Sequence, residues 1–588
     1  MLHATISSMP RYTYISIWKA VIRWLRPHAS WWRFEWPLTV AFAISLPIMA
    51  FTKQTQAYNY PSEMWLTVGL CAAAATGLSL LFHFLVPLPV ARLAASICAS
   101  CLLLTQYPDR VKYSSANAIL AFAPGKTTLV TLAILLGGSF GMGWAIVRLN
   151  RRWPRHAHFA KTVLISFVLV VIAFQAIGLM TFFSRQAHIL AYEPPVEPVI
   201  NLQQPAVARD VYYIVLDRYA SQAVLQQDFG YDNAGFYQSL ADRGFTVKPE
   251  AYANYPFTAM SLASTLNMTY LTDVTQKLGT ESSYSQLPYR KYFADNQVAA
   301  TFRAAGYANY NVSSWFGVSR TMDQAVNLPQ DQFQFALLGQ HIDLTDYQQA
   351  VLGQTFYSSL LAGGRHLGPY TVGQMLPTRS PADTFNHQVD ALLQVATDQS
   401  VGPKFVFTHF ISPHPPYVFM PDGSTVSYND EANDYGIPRE QKYLNQLQYL
   451  NGRILEMVDK IKQASVVPPV IVLAADEGPY PRQFAEIAPE AGGNFSWEQA
   501  DPAVVRHKTD ILQAAFLPDA TDETKAQFLT PVNTFRIIFN QYFDAGLPYL
   551  PNCSFISNNT SPYRFIDITA AVASTPDAGC QDLARQHQ

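Results

Sequence analysis

The sequence predicts a chain in two parts. An N-terminal multi-span α-helical membrane domain covers residues 1–184, a linker covers 185–209, and an α/β domain with a largely parallel sheet between helices covers 210–588. Three observations carry this prediction. Charged residues make up only 14% of the 588 while hydrophobic residues make up 49%, against about 25% charged in an ordinary soluble domain. Long uncharged apolar runs are confined to the first third of the chain. The remainder alternates short β-rich apolar runs with helix-period segments. Lys+Arg 40 against Asp+Glu 42 gives a net charge of −2, so no basic surplus points to a nucleic-acid partner. With 36 Phe, 32 Tyr, 10 Trp and only 5 Cys, the chain is neither a disordered polymer nor a disulfide-dense scaffold.

Five runs free of Asp, Glu, Lys and Arg, near residues 36–52, 64–87, 93–108, 127–147 and 162–184, are the expected spans. The first and third are short, and Pro47 sits inside the first. On one side of these spans lie Arg11, Lys19, Arg23, Arg26, Arg33, Arg92, Arg148, Arg151, Arg152, Arg155 and Lys161; the other side collects Lys53, Arg110, Lys112 and Lys126. That bias places the N-terminus in the cytoplasm, and an odd number of crossings then exports everything after about residue 185. Residues 1–35 are basic and Trp-rich, without the apolar core and small-residue cleavage site of a signal peptide. Cys71, Cys98 and Cys101 fall in spans and act as small apolar residues. Cys553 and Cys580 fall in the exported part, either bridged in an oxidising compartment or as free thiols.

Residues 185–209 carry four prolines and no period, which suits an extended spacer. From Asp210 onward five apolar runs read as strands: VYYIVLD at 211–217, YANYNVS at 307–313, KFVFTHFIS at 404–412, PPVIVLAAD at 468–476 and TDILQAAFLP at 509–518. Runs this apolar are expected to be buried on both faces, as in a parallel sheet between helices. Tyr443, Leu447, Leu450, Ile454, Val458 and Ile461 recur at steps of three and four, which predicts a helix over 440–463 feeding the strand at 468–476.

In open α/β sheets, ligands gather beyond the carboxyl ends of the strands. Three ends carry suitable chemistry: Asp217, the pair His409 and His414 in FVFTHFISPHPPY, and Asp476-Glu477-Gly478. A fourth piece is NYPFTAMSLASTLNMTYL at 254–271, where Pro256 breaks an extended segment and Thr258 falls at the start of a short helix. Thr258 there is either an ordinary N-cap or a hydroxyl aimed at an anionic group, because unpaired N–H groups and the dipole favour negative charge at that end. Ser313, Ser314 and Trp315 at a strand end are further pocket candidates.

With these four pieces in chain order, residues 210 to about 520 resemble the alkaline phosphatase/sulfatase-like superfamily. Within it they are similar to the membrane-anchored transferases that include lipoteichoic acid synthase and the lipid A phosphoethanolamine transferases. The resemblance implies Asp217 as a metal ligand and Thr258 as both nucleophile and ligand, since Thr258-Ala259-Met260-Ser261 fits the Thr-Ala-x-Ser pattern of the latter. It implies His414, in Ser412-Pro413-His414-Pro415-Pro416, as a catalytic residue that contacts substrate or assists proton transfer, with His409 as a further substrate-binding histidine. The family's Asp-His-Gly ligand pair falls on Asp476-Glu477-Gly478, a carboxylate replacing the imidazole. Ligands Asp217, Thr258, Asp476 and Glu477 would form an all-oxygen set around one divalent metal ion, Mg, Mn or Ca favoured over Zn. The added negative charge calls for compensation, for which Arg218, Lys508 and the substrate-side His507 are candidates, against the simpler reading of each as a solvated surface charge.

The activity so implied is transfer of a substituted phosphoryl group, of phosphoglycerol or phosphoethanolamine type, through a phosphothreonine. The partners would be a membrane lipid donor and an envelope glycan or lipid acceptor, in a multi-pass inner-membrane protein with its C-terminal domain on the periplasmic or extracellular side. Two alternatives stand beside it: a sulfatase-like phosphodiesterase or sulfuric ester hydrolase, and a catalytically silent envelope assembly factor. The sulfatase nucleophile lies in a Cys/Ser-x-Pro-x-Arg segment that this sequence lacks, and Thr cannot be converted to formylglycine.

Overall fold

The computed structural model describes residues 35–53, 59–104, 127–195, 198–280, 283, 285–314, 316–328, 334–337, 340–353, 365–367, 370–375, 380–426, 436–481, 495–558 and 560–587. Trp315, the basic residues before residue 35, Arg110, Lys112, Lys126 and the end of the 93–108 run lie outside them. The chain divides into two compact units, one of residues 1–54, 60–186 and 334–376, the other of 55–59, 187–333 and 377–588.

In the first unit, helices Trp36–Lys53, Met64–Leu85, Pro89–Leu104, Thr127–Arg152 and Pro154–Ala191 fall on the five apolar runs. Two helical stretches among the described residues, Pro61–Leu85 and Thr162–Ala191, are long and apolar enough to cross a membrane. Trp36–Thr52 and Pro89–Cys101 are shorter apolar helices. The last helix runs on to Ala191, beyond the residue-184 limit read from composition, because RQAHILA holds helix-forming residues and the first breaking prolines come at Pro194 and Pro195.

Residues 334–376, which sequence alone groups with the exported part, cluster with these helices. They form a four-stranded antiparallel sheet of Gln334–Leu337, Gln340–Asp343, Arg365–Leu367 and Tyr370–Met375. Within it the helix Asp346–Gly353 sends Tyr347 between Phe51 and Met64. The Tyr347 hydroxyl donates to the Pro47 carbonyl at 2.6 Å, and Gln348 donates to the Glu63 carbonyl at 2.7 Å.

The second unit is built on a seven-stranded sheet. Its strands are β1 (Val211–Leu216), β2 (Thr246–Val247), β3 (Ala308–Val312), β4 (Val326–Asn327), β5 (Lys404–Phe410), β6 (Val470–Ala474) and β7 (Gln513–Phe516), in the order β2-β7-β6-β1-β5-β3-β4. All five predicted strands are present. Pairings among β6, β1, β5, β3 and β4 are parallel, whereas β7 runs antiparallel to both β6 and β2. The sheet is therefore mixed at one edge. The predicted run at 509–518 is shortened because Thr509 closes the helix Pro502–Thr509 and Asp510 and Ile511 make isolated bridges to Tyr252 and Ala220.

Every residue of β1, β5 and β6 is buried, as their apolar sequences require. Alternation along β1 sends Tyr212, Ile214 and Leu216 into one core and Val211, Tyr213 and Val215 into the other. The first core is closed by helix Arg439–Ala464, whose predicted stripe from Tyr443 to Ile461 is buried throughout. The second is closed by the wholly buried helix Thr258–Asn267 and an aromatic stack in which Phe302 lies 4.6 Å from Phe405 and 5.0 Å from Phe539. Each large apolar side chain so buried contributes about 1.5–3 kcal/mol.

Cys553 and Cys580 are disulfide-bonded across 27 residues, a loop length for which chain entropy gives about 3–4 kcal/mol. Nearby, His587 is 1% exposed, with its ring 4.6 Å from Phe555 and 4.7 Å from Phe565. Burial pushes its pKa down to about 4. Because the unfolded chain takes up this proton near pH 6.5 and the folded chain does so only near 4, stability falls as pH drops through that window and levels off below it. The expected loss is on the order of 3 kcal/mol. Chemical denaturation of the full chain between pH 7 and pH 4 checks this, with His587→Leu expected to flatten the decline and an unchanged slope in that variant counting against it.

Candidate active site

Register decides which side chains meet. Val215 of β1 is level with His409 of β5 on one side and with Ala474 of β6 on the other. Two residues on, Asp217 and Asp476 leave the carboxyl ends in the same row, and Asp217 continues the ladder by donating its N–H to the Phe410 carbonyl at 3.0 Å. Ligand atoms of Asp217, His409 and Asp476 lie within 4.8 Å of one another, and all three residues are buried.

Among the described residues, Asp217 Oδ1, Asp476 Oδ2 and His409 Nε2 are buried without a hydrogen-bond partner. Orphaned buried groups cost about 1–3 kcal/mol each unless something satisfies them, and three converging on one point fit a cation. The His409 ring is held from behind. Its Nδ1 meets Ser319 Oγ at 2.9 Å and Ser314 Oγ at 3.3 Å, which leaves Nε2 toward Asp217 Oδ2, 3.6 Å away. Ser314 was among the sequence candidates; Ser319 has no sequence signal.

Thr258 is the first residue of its helix, and Phe257 is the N-cap, with no side-chain cap. The first turn closes on the Phe257 carbonyl, which accepts from Met260 and Ser261 at 3.0 and 2.9 Å. The hydroxyl is thus not spent as a cap, and the Thr258 side chain lies beside Asp476, whose pKa it acts to lower. The approach to this helix is fixed by Ala253 donating to the Thr509 carbonyl at 2.8 Å and by Asn254 bridging the Cys553 carbonyl and the Val532 N–H.

Glu477 goes elsewhere. Its Oε1 accepts from Arg218 Nε at 2.8 Å, and its Oε2 lies 2.8 Å from Lys508 Nζ, an ion pair off the line of a hydrogen bond. Lys508 is fully buried, donates to the Gly478 carbonyl at 3.0 Å and sits 3.9 Å from the Tyr480 ring centre. Arg218 has 14% of its side chain exposed and lies 4.3 Å from the same ring. The surface-charge reading of Arg218 and Lys508 is therefore replaced: both are enclosed because a buried carboxylate needs them. Gly478 permits the close approach, since a Cβ there would lie 2.6 Å from the His507 carbonyl oxygen.

The electrostatics follow from burial and neighbours. Burial raises the Asp476 pKa well above the usual carboxylate range, with Asp217 and Glu477 adding to the effect. Burial also acts upward on Asp217, but His414, the nearby His409 ring and Arg218 outweigh it and hold that carboxyl below its ordinary value. His414 is pushed down to about 4 by burial and by Arg218, so it is neutral at pH 7. Burial lowers Lys508 to about 8 although Glu477 opposes the shift, leaving it largely protonated.

His414 is positioned by its N–H donating to the Asp217 carbonyl at 3.1 Å and by its carbonyl accepting from Gln446 at 3.1 Å. It lines a cavity of about 760 Å³ together with Arg218, Phe229, Tyr443, Tyr480 and His507. His507 reaches that wall but is paired with Asp228 at 2.5 Å and stacked on Phe229.

The sequence pattern of the sulfatase family matches residues 209–538. The chain belongs to the sulfatase family. No curated protein matches this sulfatase-family chain. Among solved structures it is similar to the C-terminal periplasmic domain of EcEptC from Escherichia coli in complex with Zn, at 13% identity and a TM-score of 0.38 over 66% of this chain and 99% of that one. It is similar to the integral membrane protein lipooligosaccharide phosphoethanolamine transferase A from Neisseria meningitidis, at 12% identity and a TM-score of 0.35 over 86% and 95%. A protein in the alkaline phosphatase superfamily from Vibrio parahaemolyticus is similar at 12% identity and 0.35 over 68% and 92%.

Proposed function

We propose that the chain is a membrane-bound, metal-dependent transferase that moves a substituted phosphoryl group from a membrane lipid to an envelope glycan or lipid through a phosphothreonine at Thr258. The observation that carries this reading is Thr258 at a helix start, uncommitted as a cap and next to Asp476, beside three partnerless ligand atoms. Asp217, His409 and Asp476 would hold one divalent ion, with Thr258 next to it. The preference for Mg, Mn or Ca rested on Glu477 as an oxygen ligand; with His409 in its place the set is mixed N/O and suits Mn²⁺ or Zn²⁺. A bound divalent ion supplies Lewis acidity and neutralises phosphoryl oxygens.

The chain's own residues supply the rest. Thr258 Oγ forms a bond to phosphorus as the bond to the donor's oxygen breaks, and the threonine proton ends on the departing alcohol. In the second half, the acceptor hydroxyl bonds to phosphorus, the Thr258 ester bond breaks, and a proton returns to Thr258. Neutral His414, on the cavity wall, is placed to carry that proton between oxygens. The two membrane-length helices would keep the site near a lipid donor, within a multi-pass anchor, and the Cys553–Cys580 bridge suits an exported domain.

Intact-mass measurement of the full chain incubated with membrane lipids tests this. An added substituted phosphoryl group on Thr258 is expected, and its mass names the head group. No adduct under Mn²⁺, Zn²⁺ or Mg²⁺ would count against the mechanism. If water alone discharges the adduct when candidate glycans are present, the phosphodiesterase reading replaces the transferase one.

A further inference from the structure

The carboxylate at position 477 stands where the family resemblance puts an imidazole, a departure of this chain from that pattern. Among the described residues, the atoms that converge on a single point belong to Asp217, His409 and Asp476, and Glu477 is not among them. Both of its oxygens are engaged by cations, Arg218 Nε and Lys508 Nζ, each at 2.8 Å. To serve as a ligand it would have to abandon one of two buried partners and leave that cation uncompensated.

Arg218 is held to an unusual degree. Its backbone is left-handed, with φ 64, its N–H donates to Asp476 Oδ1 at 3.3 Å, and its carbonyl accepts from Tyr443 at 2.9 Å. A non-glycine residue in that region is strained, and the surrounding contacts hold it there. The side chain is gripped at Nε alone: among the described residues, no hydrogen bond engages either terminal amino group. The residue lines the 760 Å³ cavity beside His414, whereas Lys508 does not reach it. A guanidinium fixed by one edge presents its other edge as a two-donor fork, the shape that matches two oxygens of a tetrahedral anion.

We propose that Glu477 is a positioning residue that holds Arg218 by Nε, so that its two terminal amino groups take non-bridging oxygens of the substrate's anionic ester, while Lys508 neutralises the second Glu477 oxygen and keeps it off the metal. Arg218 and Lys508 together then offset the Glu477 carboxylate with fixed positive charge. The assignment of the anion as substrate rests on the proposed function; the assignment of Glu477 and Arg218 does not.

Two titrations of the purified full chain separate these roles. With Mn²⁺ alone as the probe, Glu477→Gln is expected to keep one ion per chain and an affinity within about threefold of wild type. With inorganic phosphate as the probe on the Mn²⁺-loaded chain, Arg218→Met is expected to weaken binding about tenfold to a hundredfold. Arg218→Lys is expected to recover little of it, because a point charge lacks the fork. Glu477→Gln should weaken phosphate about tenfold while sparing Mn²⁺, a split that a purely structural defect would not produce. Because Glu477→Gln leaves two buried cations to share one neutral partner, the charge-balanced Glu477→Gln/Lys508→Met chain is measured alongside it and should show the same split. Loss of Mn²⁺ in both Glu477 variants, or wild-type phosphate binding by Arg218→Met, overturns the proposal. An absence of turnover on every diester, with both titrations as expected, would sink the transferase reading and leave this one standing.

Discussion

Thr258→Ala is expected to abolish the covalent adduct and to lower turnover about 10⁴-fold or more, the scale seen when a nucleophile is removed from a site that otherwise stays intact. The methyl group retained by alanine keeps the helix start filled, and the first turn is closed by the Phe257 carbonyl instead of the Thr258 hydroxyl. Folding should therefore change little. Metal affinity should also survive in large part, since Asp217, His409 and Asp476 remain. Thr258→Ser, which restores an oxygen at the same place, is expected to recover an adduct at reduced rate. Intact mass and steady-state rate measured on the same preparations check both statements, and an undiminished rate in Thr258→Ala would remove the nucleophile from the mechanism.

Asp476→Asn is the second large effect, and it acts in two directions. Its carboxyl is 1% exposed, one oxygen has no partner, and it lies close to Asp217 and Glu477. Placing negative charge there without a cation is unfavourable, so the amide should leave the metal-free chain as stable as wild type or more so. The same change removes a ligand, and affinity for a divalent ion should drop roughly a hundredfold or more. Wild type should gain thermal stability on adding Mn²⁺ by mass action, and Asp476→Asn should gain almost none at the same concentration. Thermal melts of the full chain with and without Mn²⁺ read both directions at once. A variant that is destabilised without metal, yet responds normally to it, would mean that Asp476 is a structural group and not a ligand.

Much of the α/β fold is legible from local pattern. The five strands were marked by runs too apolar to have a wet face, and the helix Arg439–Ala464 by a stripe that is buried as read. The residues at strand ends were legible for the same reason, because Asp217 and Asp476 follow such runs directly. What the pattern does not hold is register between distant strands. His409 joins the two aspartates because Val215 of β1 is level with it, a pairing that no local signal states. The antiparallel course of β7 is equally non-local, and so is the grouping of residues 334–376 with the N-terminal helices through Tyr347.

Charge was the other blind spot. Arg and Lys are found outside in most folds, and a sequence cannot say that one is enclosed until its partner is known. Here the partner is Glu477, contributed by the end of β6, while Arg218 follows β1 and Lys508 ends the helix before β7. The unusual Glu at that position was visible as a departure. Its consequence, two buried cations beside it while His409 converges on the two aspartates, needed the fold.

The central claim is that one divalent ion sits among Asp217, His409 and Asp476. Anomalous diffraction from crystals of the full chain grown with Mn²⁺ tests it most directly. The expected result is a single strong peak at about 2.0–2.3 Å from His409 Nε2 and one oxygen each of Asp217 and Asp476, with Glu477 still on Arg218 and Lys508. A peak bound to Glu477 in place of His409, or none near the three residues, would contradict it.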